Sequence, residues 1–244
     1  MQAWLSGPYR KDFVAQGFPF IGIAGVPASG VPPHPTKIGR VPPTVDHDAR
    51  RREIISSVWR LIADEGLDAV TTRRIAEATG YSNGLLRYYF PGKDAVVTAA
   101  FEFIYAATND RALLGDKEDE DGRRGLAGLE RLALEILPLD DTRRAEARVV
   151  TAFWQRAITH EDEAAIHADR MAGWRGHFLD RLAEAEADGE LGGQARATAP
   201  EDIIDELMTL LMGAQVWAAL HQEESSPERL TGQLDRLIRR LRTA

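Results

Sequence analysis

The sequence predicts an all-α protein, on three observations. From about residue 47 onward apolar residues recur at helical spacing, no period-two alternation runs long enough for a strand, and Gly, Pro, Ser and Thr stand where helices should stop or start. The 244 residues are enough for one large domain or two small ones. With 44% hydrophobic and 28% charged residues the composition is that of an ordinary soluble protein, and no stretch is read as reaching the ~20 apolar residues that span a bilayer. The lack of cysteine removes disulfides, Cys-ligated zinc and thiol chemistry, in keeping with a cytoplasmic setting.

Residues 1–46 are expected to form a disordered Pro/Gly-rich extension, because residues 1–43 hold eight of the twelve prolines and six of the 21 glycines. Within it, Gly17 to Val26 resembles a signal-peptide core only faintly, since Pro19, three glycines and Asp12 spoil it. A start of translation at Val41 or Val45 is the plainer alternative.

Ile54, Val58, Leu61 and Ile62 then mark one face of a helix from about His47 to Glu65, stopped at Gly66. Thr71 offers the N-cap of a short helix ending at Gly80, and Ser82 caps another that carries Leu85, Leu86, Tyr89 and Phe90. The Pro91-Gly92 pair ends the latter within about two turns. A long helix restarts near Lys93 and runs past Tyr105. Gly115 to Arg124 reads as a charged loop, after which apolar residues resume from Leu126 to Ile136, at Val149, Val150, Phe153 and Trp154, and at Met171, Trp174, Phe178 and Leu182. Gly189 to Pro200 reads as a break. The last two helices, about Glu201 to His221 and Pro227 to Arg242, carry stripes from Leu207 to Ala218 and from Leu230 to Leu241.

A net charge of -8 argues against a nucleic-acid partner only when taken whole. Residues 1–46 sum to +2, residues 47–95 to +1 and residues 96–244 to -11. The middle segment gathers Arg50, Arg51, Arg52, Arg73, Arg74, Arg87 and Lys93, so it can approach phosphate while the acidic remainder is repelled from it.

Two short helices joined by Gly80-Tyr81-Ser82 have the arrangement of a helix-turn-helix, in which the first braces the second against the major groove. The run Thr71-Thr-Arg-Arg-Ile-Ala-Glu-Ala-Thr-Gly-Tyr-Ser-Asn-Gly-Leu-Leu-Arg-Tyr-Tyr-Phe-Pro-Gly-Lys-Asp94 resembles the DNA-binding signature of the TetR family of transcriptional repressors. Arg87 and Tyr81 depart from it, many members having Tyr and Val there; arginine still serves a phosphate. The segments Ala147 to Trp154, Ala187 to Leu191 and Leu211 to Ala214 are similar to the betaine-synthesis repressor branch.

The resemblance implies a three-helix DNA-binding domain at 47–95 and a helical effector-binding and dimerisation domain at 96–244. Asn83 and Leu85 are the base-reading candidates, since an amide can bond an adenine edge and an aliphatic chain can meet a thymine methyl. Gly84 would allow close approach. Thr72, Ser82, Arg87, Tyr88 and Lys93 are expected at phosphates, with Arg73 as supporting charge and Tyr89 in the same DNA-binding set. The arginines at 50–52 read equally well as a solvated helix start.

In the acidic half, Trp154, Trp174, Phe178 and Trp217 fall on three helices, with Phe101 and Tyr105 on the helix leading in. Such aromatics are ordinary core or, jointly, the lining of an apolar cavity; Tyr105, Trp154, Trp174, Phe178 and Trp217 are the ligand candidates. The branch resemblance implies a quaternary ammonium such as choline, which aromatic faces attract. It also implies a homodimer through the last two helices, the alternative being that both stripes face the chain's own core.

The expected function is a repressor that binds a palindromic DNA operator as a dimer and is released by a small-molecule effector. An activator, or a DNA binder controlled by a protein partner, is the alternative. His160, Glu163 and His167 could place a metal-dependent enzyme here, but they lack metalloprotease spacing and read as a solvated helix start. With no phosphate loop or nucleophile elbow, no catalysis, metal or cofactor is expected.

Overall fold

The computed structural model describes residues 46–114, 124–221 and 226–242. The expected extension up to residue 45 and most of the expected charged loop, residues 115–123, lie outside them. Asp46 opens α1 (His47–Glu65) by accepting the Ala49 N–H at 2.9 Å. Gly66 closes it, and a single 3₁₀ turn, Leu67–Ala69, leads on. Thr71 Oγ1 accepts the Arg74 N–H at 3.2 Å to start α2 (Thr72–Thr79). That helix ends at Gly80, whose φ of 74° is left-handed and strained for any side chain. Ser82 Oγ accepts the Leu85 N–H at 3.3 Å to start α3 (Asn83–Tyr89), which gives way to α4 (Lys93–Leu114) after Pro91-Gly92. These boundaries are those the caps predict.

The remainder is also helical: α5 (Gly125–Ile136), α6 (Asp141–Ala157), α7 (Glu161–Ala187), α8 (Gly193–Arg196), α9 (Pro200–Leu220) and α10 (Pro227–Leu241). Asp140 and Ser226 cap α6 and α10 through the N–H groups of Arg143 and Arg229, at 2.8 and 3.2 Å. Proline at the first position of α9 and of α10 needs no donor there. The expected break at Gly189 to Pro200 holds α8, a turn too short to show a periodic pattern. Leu191 beside it pairs with Arg242, the Gly192 N–H reaching Leu241 O at 2.8 Å.

Two hydrophobic clusters organise these helices. The first joins Ile54, Val58, Leu61 and Ile62 of α1 with Ile75, Leu86 and Phe90, and continues into α4 through Val96, Val97, Ala100 and Ile104 and into α6 through Ala145 and Val149. A boundary at residue 95 therefore falls within α4, whose first three turns serve the helix-turn-helix core. The second cluster joins Leu126, Leu129 and Leu132 of α5, Trp174, Phe178 and Leu182 of α7, Ile204, Leu207 and Leu211 of α9 and Leu230, Leu234 and Leu237 of α10.

The two C-terminal stripes thus pack largely inward: Leu207, Leu211, Ala214 and Ala218, and all of Leu230, Leu234, Leu237 and Leu241, are buried within the chain itself. Of the first stripe Leu210 and Trp217 turn toward the groove between α9 and α10. Among the described residues α9, at 21 residues, is long and apolar enough to cross a membrane. It packs instead as a core helix against α6, α7 and α10, and it looks membrane-like because its outer face is apolar too, with Leu210, Val216, Trp217 and Leu220.

Candidate nucleic-acid interface and effector cavity

The helix-turn-helix turns a polar face outward. Thr72, Arg73, Ser82, Asn83, Gly84, Arg87 and Tyr88 are exposed, Tyr88 to 72%, whereas Leu85, Tyr89 and Lys93 are half-buried. Leu86 and Phe90 point the other way, into the first cluster, so α3 is fixed by its inner face and free on its outer one. At Gly84 an added Cβ would meet nothing nearer than Ser82 Oγ at 4.0 Å. Among the described residues nothing crowds this position, so its outer side is open.

The candidate phosphate contacts divide by what already holds them. Arg87 makes no ion pair among the described residues, whereas Arg73 is paired with Glu77 at 2.9 Å. Lys93 Nζ donates to Leu67 O at 3.1 Å, tying the start of α4 to the 3₁₀ turn. Two braces have no sequence signal. Arg51 lies 4.4 Å over the Phe90 ring and donates to Tyr89 O at 3.1 Å, and His47 Nδ1 hydrogen-bonds Tyr89 Oη at 2.8 Å. Of the arginine cluster, Arg51 is therefore structural. Tyr81 donates to Glu53 at 2.5 Å, and that carboxylate raises the phenol's pKa above its usual value.

In the other half, a cavity opens between α4, α6, α7 and α9. Tyr105, Trp154 and Trp174 line it as expected, together with Phe101, Ile104 and Val150. Its volume is about 70 Å³, room for several waters. Phe178 and Trp217 do not line it. Phe178 is fully buried behind Trp174, their rings 6.2 Å apart. Trp217 is 38% exposed, its ring 4.2 Å from that of His221, in a groove between α9 and α10. Helix phase explains the second correction: residues seven apart share a face, so Trp217 lies with Leu210, while Leu211 and Gln215 turn to the cavity.

Sequence reasoning missed the cavity's polar and sulfur-bearing groups. Met171, Met208 and Met212, three of the chain's four methionines, line it and make an adaptable wall. Glu146 accepts from Arg111 at 3.1 and 2.8 Å, and burial nonetheless raises its carboxyl pKa above the usual range. Arg143 is held by Asp140 at 2.8 Å and by Leu134 O at 2.8 Å. Tyr105 Oη donates to Arg170 O at 3.2 Å, and the Trp154 indole N–H is buried with no hydrogen-bond partner among the described residues.

The stretch from His160 to His167 starts a helix with its first residues in solvent, as expected, but two of its members turn inward. His160 is exposed, but Glu163 is 5% exposed and gripped by Arg156, and the His167 ring packs edge-on against Trp154 at 5.7 Å. Burial lowers the His167 pKa. Among the described residues no cluster of His, Cys, Asp or Glu is placed to hold a metal.

This arrangement of an exposed short helix on a braced partner, followed by a helical half with a cavity, is also found in known regulators. Residues 54–100 match the family described as bacterial regulatory proteins, tetR family, and residues 126–243 match the BetI-type transcriptional repressor C-terminal family. Together they cover more than half of the chain. The transcriptional regulator PksA of Bacillus subtilis is 29% identical over 159 residues, 62% of this chain and 75% of that one. The regulator BetI 1 of Chromohalobacter salexigens is 36% identical over 120 residues, 46% of this chain and 55% of the relative. A transcriptional regulator from Saccharomonospora viridis, solved in complex with choline, shares the fold at a TM-score of 0.70 and 22% identity, over 79% of this chain and 97% of its own. These families and relatives are regulators of transcription, not enzymes, and the chain belongs to the TetR family of transcriptional regulators, with a carboxy-terminal half of the BetI-type repressor.

Proposed function

We propose that the chain is a cytoplasmic, ligand-responsive repressor that binds a palindromic operator as a homodimer and leaves it when a small molecule occupies the cavity. The observation that supports this most is α4. Its first turns belong to the helix-turn-helix core and its next turns, at Phe101 and Tyr105, line the cavity, so one rigid element touches both sites. A ligand that prefers one orientation of α4 shifts the population toward it. The aromatic walls and the choline-bound neighbour favour an ammonium cation as effector. For the dimer we propose the outer faces of α9 and α10, where Val216, Trp217 and Leu220 stay uncovered.

The test is binding to duplex DNA from immediately upstream of the protein's own gene, with and without choline chloride. Specific binding should weaken as choline rises, over the concentrations that change tryptophan emission. Asn83→Ala should shift which base is preferred, at ~1–3 kcal/mol if the contact is bidentate. Unaltered base preference would move the reading role off Asn83.

A further inference from the structure

Arg156, near the end of α6, binds two carboxylates of unlike character. Its Nε lies 3.0 and 2.9 Å from the two oxygens of Glu163 on α7, and its Nη2 lies 2.6 Å from Glu163 Oε1 and 2.8 Å from Asp94 Oδ1 on α4. The arginine side chain is 12% exposed and that of Glu163 7%, while that of Asp94 is 75% exposed. Separating Arg156 from Glu163 would strand a buried charge, so that half of the node is permanent. The contact to Asp94, wet on one side, is cheap to break and remake.

Position gives the breakable half a consequence. Asp94 is the second residue of α4, separated from the recognition helix α3 only by Phe90, Pro91, Gly92 and Lys93. Arg156 follows the cavity-lining Trp154 by two residues on one helix. We infer that Arg156 is a positioning residue for DNA binding: by holding Asp94 it sets the first turn of α4, and with it α3, in the operator-binding orientation. This rests on the DNA-binding reading above. It adds a second route from cavity to α3, through α6, beside the one that runs along α4.

The experiment compares full-length variants for binding to the upstream duplex and to a random-sequence duplex. Asp94→Asn leaves Arg156 and Glu163 together, and should weaken binding to the upstream duplex about two- to five-fold with an unchanged melting temperature. Arg156→Lys, a point charge that cannot fork to both carboxylates, should weaken it similarly. The double variant should bind no worse than either single one, because both remove the same contact. Asp94→Glu should restore binding, which a general loss of packing would not allow. If Asp94→Asn binds as tightly as the wild type or more tightly, Asp94 is only a surface charge repelled by phosphate and the inference is overturned. If the wild type does not prefer the upstream duplex, the DNA-binding reading falls first and takes this inference with it.

Discussion

At the level of single residues, what surrounds a side chain decides more than its type does. His160 stands in solvent at the start of α7, His47 is bonded to Tyr89 at the surface, and His167 on α7 is enclosed beside Trp154 with no partner for its Nε2 among the described residues. Burial disfavours the charged ring, so the folded pKa of His167 lies below its unfolded value. The neutral ring's contribution to stability is then fully present above the ordinary histidine pKa of about 6.5 and is lost as pH falls toward the depressed folded value. Thermal melting from about pH 7.5 down to about pH 5.5 should lower Tm more in the wild type than in His167→Met; equal slopes would show that another group carries the acid sensitivity. The helix caps at Thr71 and Ser82 were legible because each is a rule over three residues. Arg51, His47 and Arg156 were not, because their partners lie 38, 42 and 62 residues away.

Among the elements, α9 shows where a periodic pattern stops being informative. A helix apolar on one face reveals which side is inside; α9 is apolar on both, so its sequence gives length and type but no orientation. The packing resolves it. Leu207, Leu211 and Ala218 fill the core while Val216, Trp217 and Leu220 remain outside, and Arg240 of α10 pairs with Glu206 across the groove beside Trp217. If the outer face is where two copies meet, Trp217→Glu should weaken self-association about tenfold or more, ~1.4 kcal/mol, with the helical content and melting of the chain preserved. Leu207→Glu, one helix face away, should instead unfold the chain, since it would bury an unpaired charge. Analytical ultracentrifugation over a dilution series separates these outcomes; an unaltered dimer in Trp217→Glu would place the interface on another surface.

For the molecule as a whole, the charge divides the chain sharply between residues 47–95 and 96–244, yet the packing does not respect that division. The helix-turn-helix core borrows Ala145 and Val149 from α6, and Phe101 of α4 stacks on Phe153 of α6 with ring centroids 3.9 Å apart and planes within 3°. Such contacts join distant segments, so no local pattern foretold them, and they tie the helix-turn-helix core to the helices around the cavity. Linkage then has a consequence that needs no effector: if occupying the cavity changes DNA affinity, occupying the DNA surface must change the cavity by the same free energy. Of the five tryptophans, Trp154 and Trp174 line the cavity. Replacing Trp4, Trp59 and Trp217 by Phe leaves these two as reporters, neither of them on the DNA-facing surface. Adding the upstream duplex should then shift or quench their emission along the binding curve measured by anisotropy of labelled DNA, and a random-sequence duplex should not. Emission that stays constant while the duplex binds would mean that α4 and α6 pass nothing between the halves, and that release from DNA must come from outside the cavity.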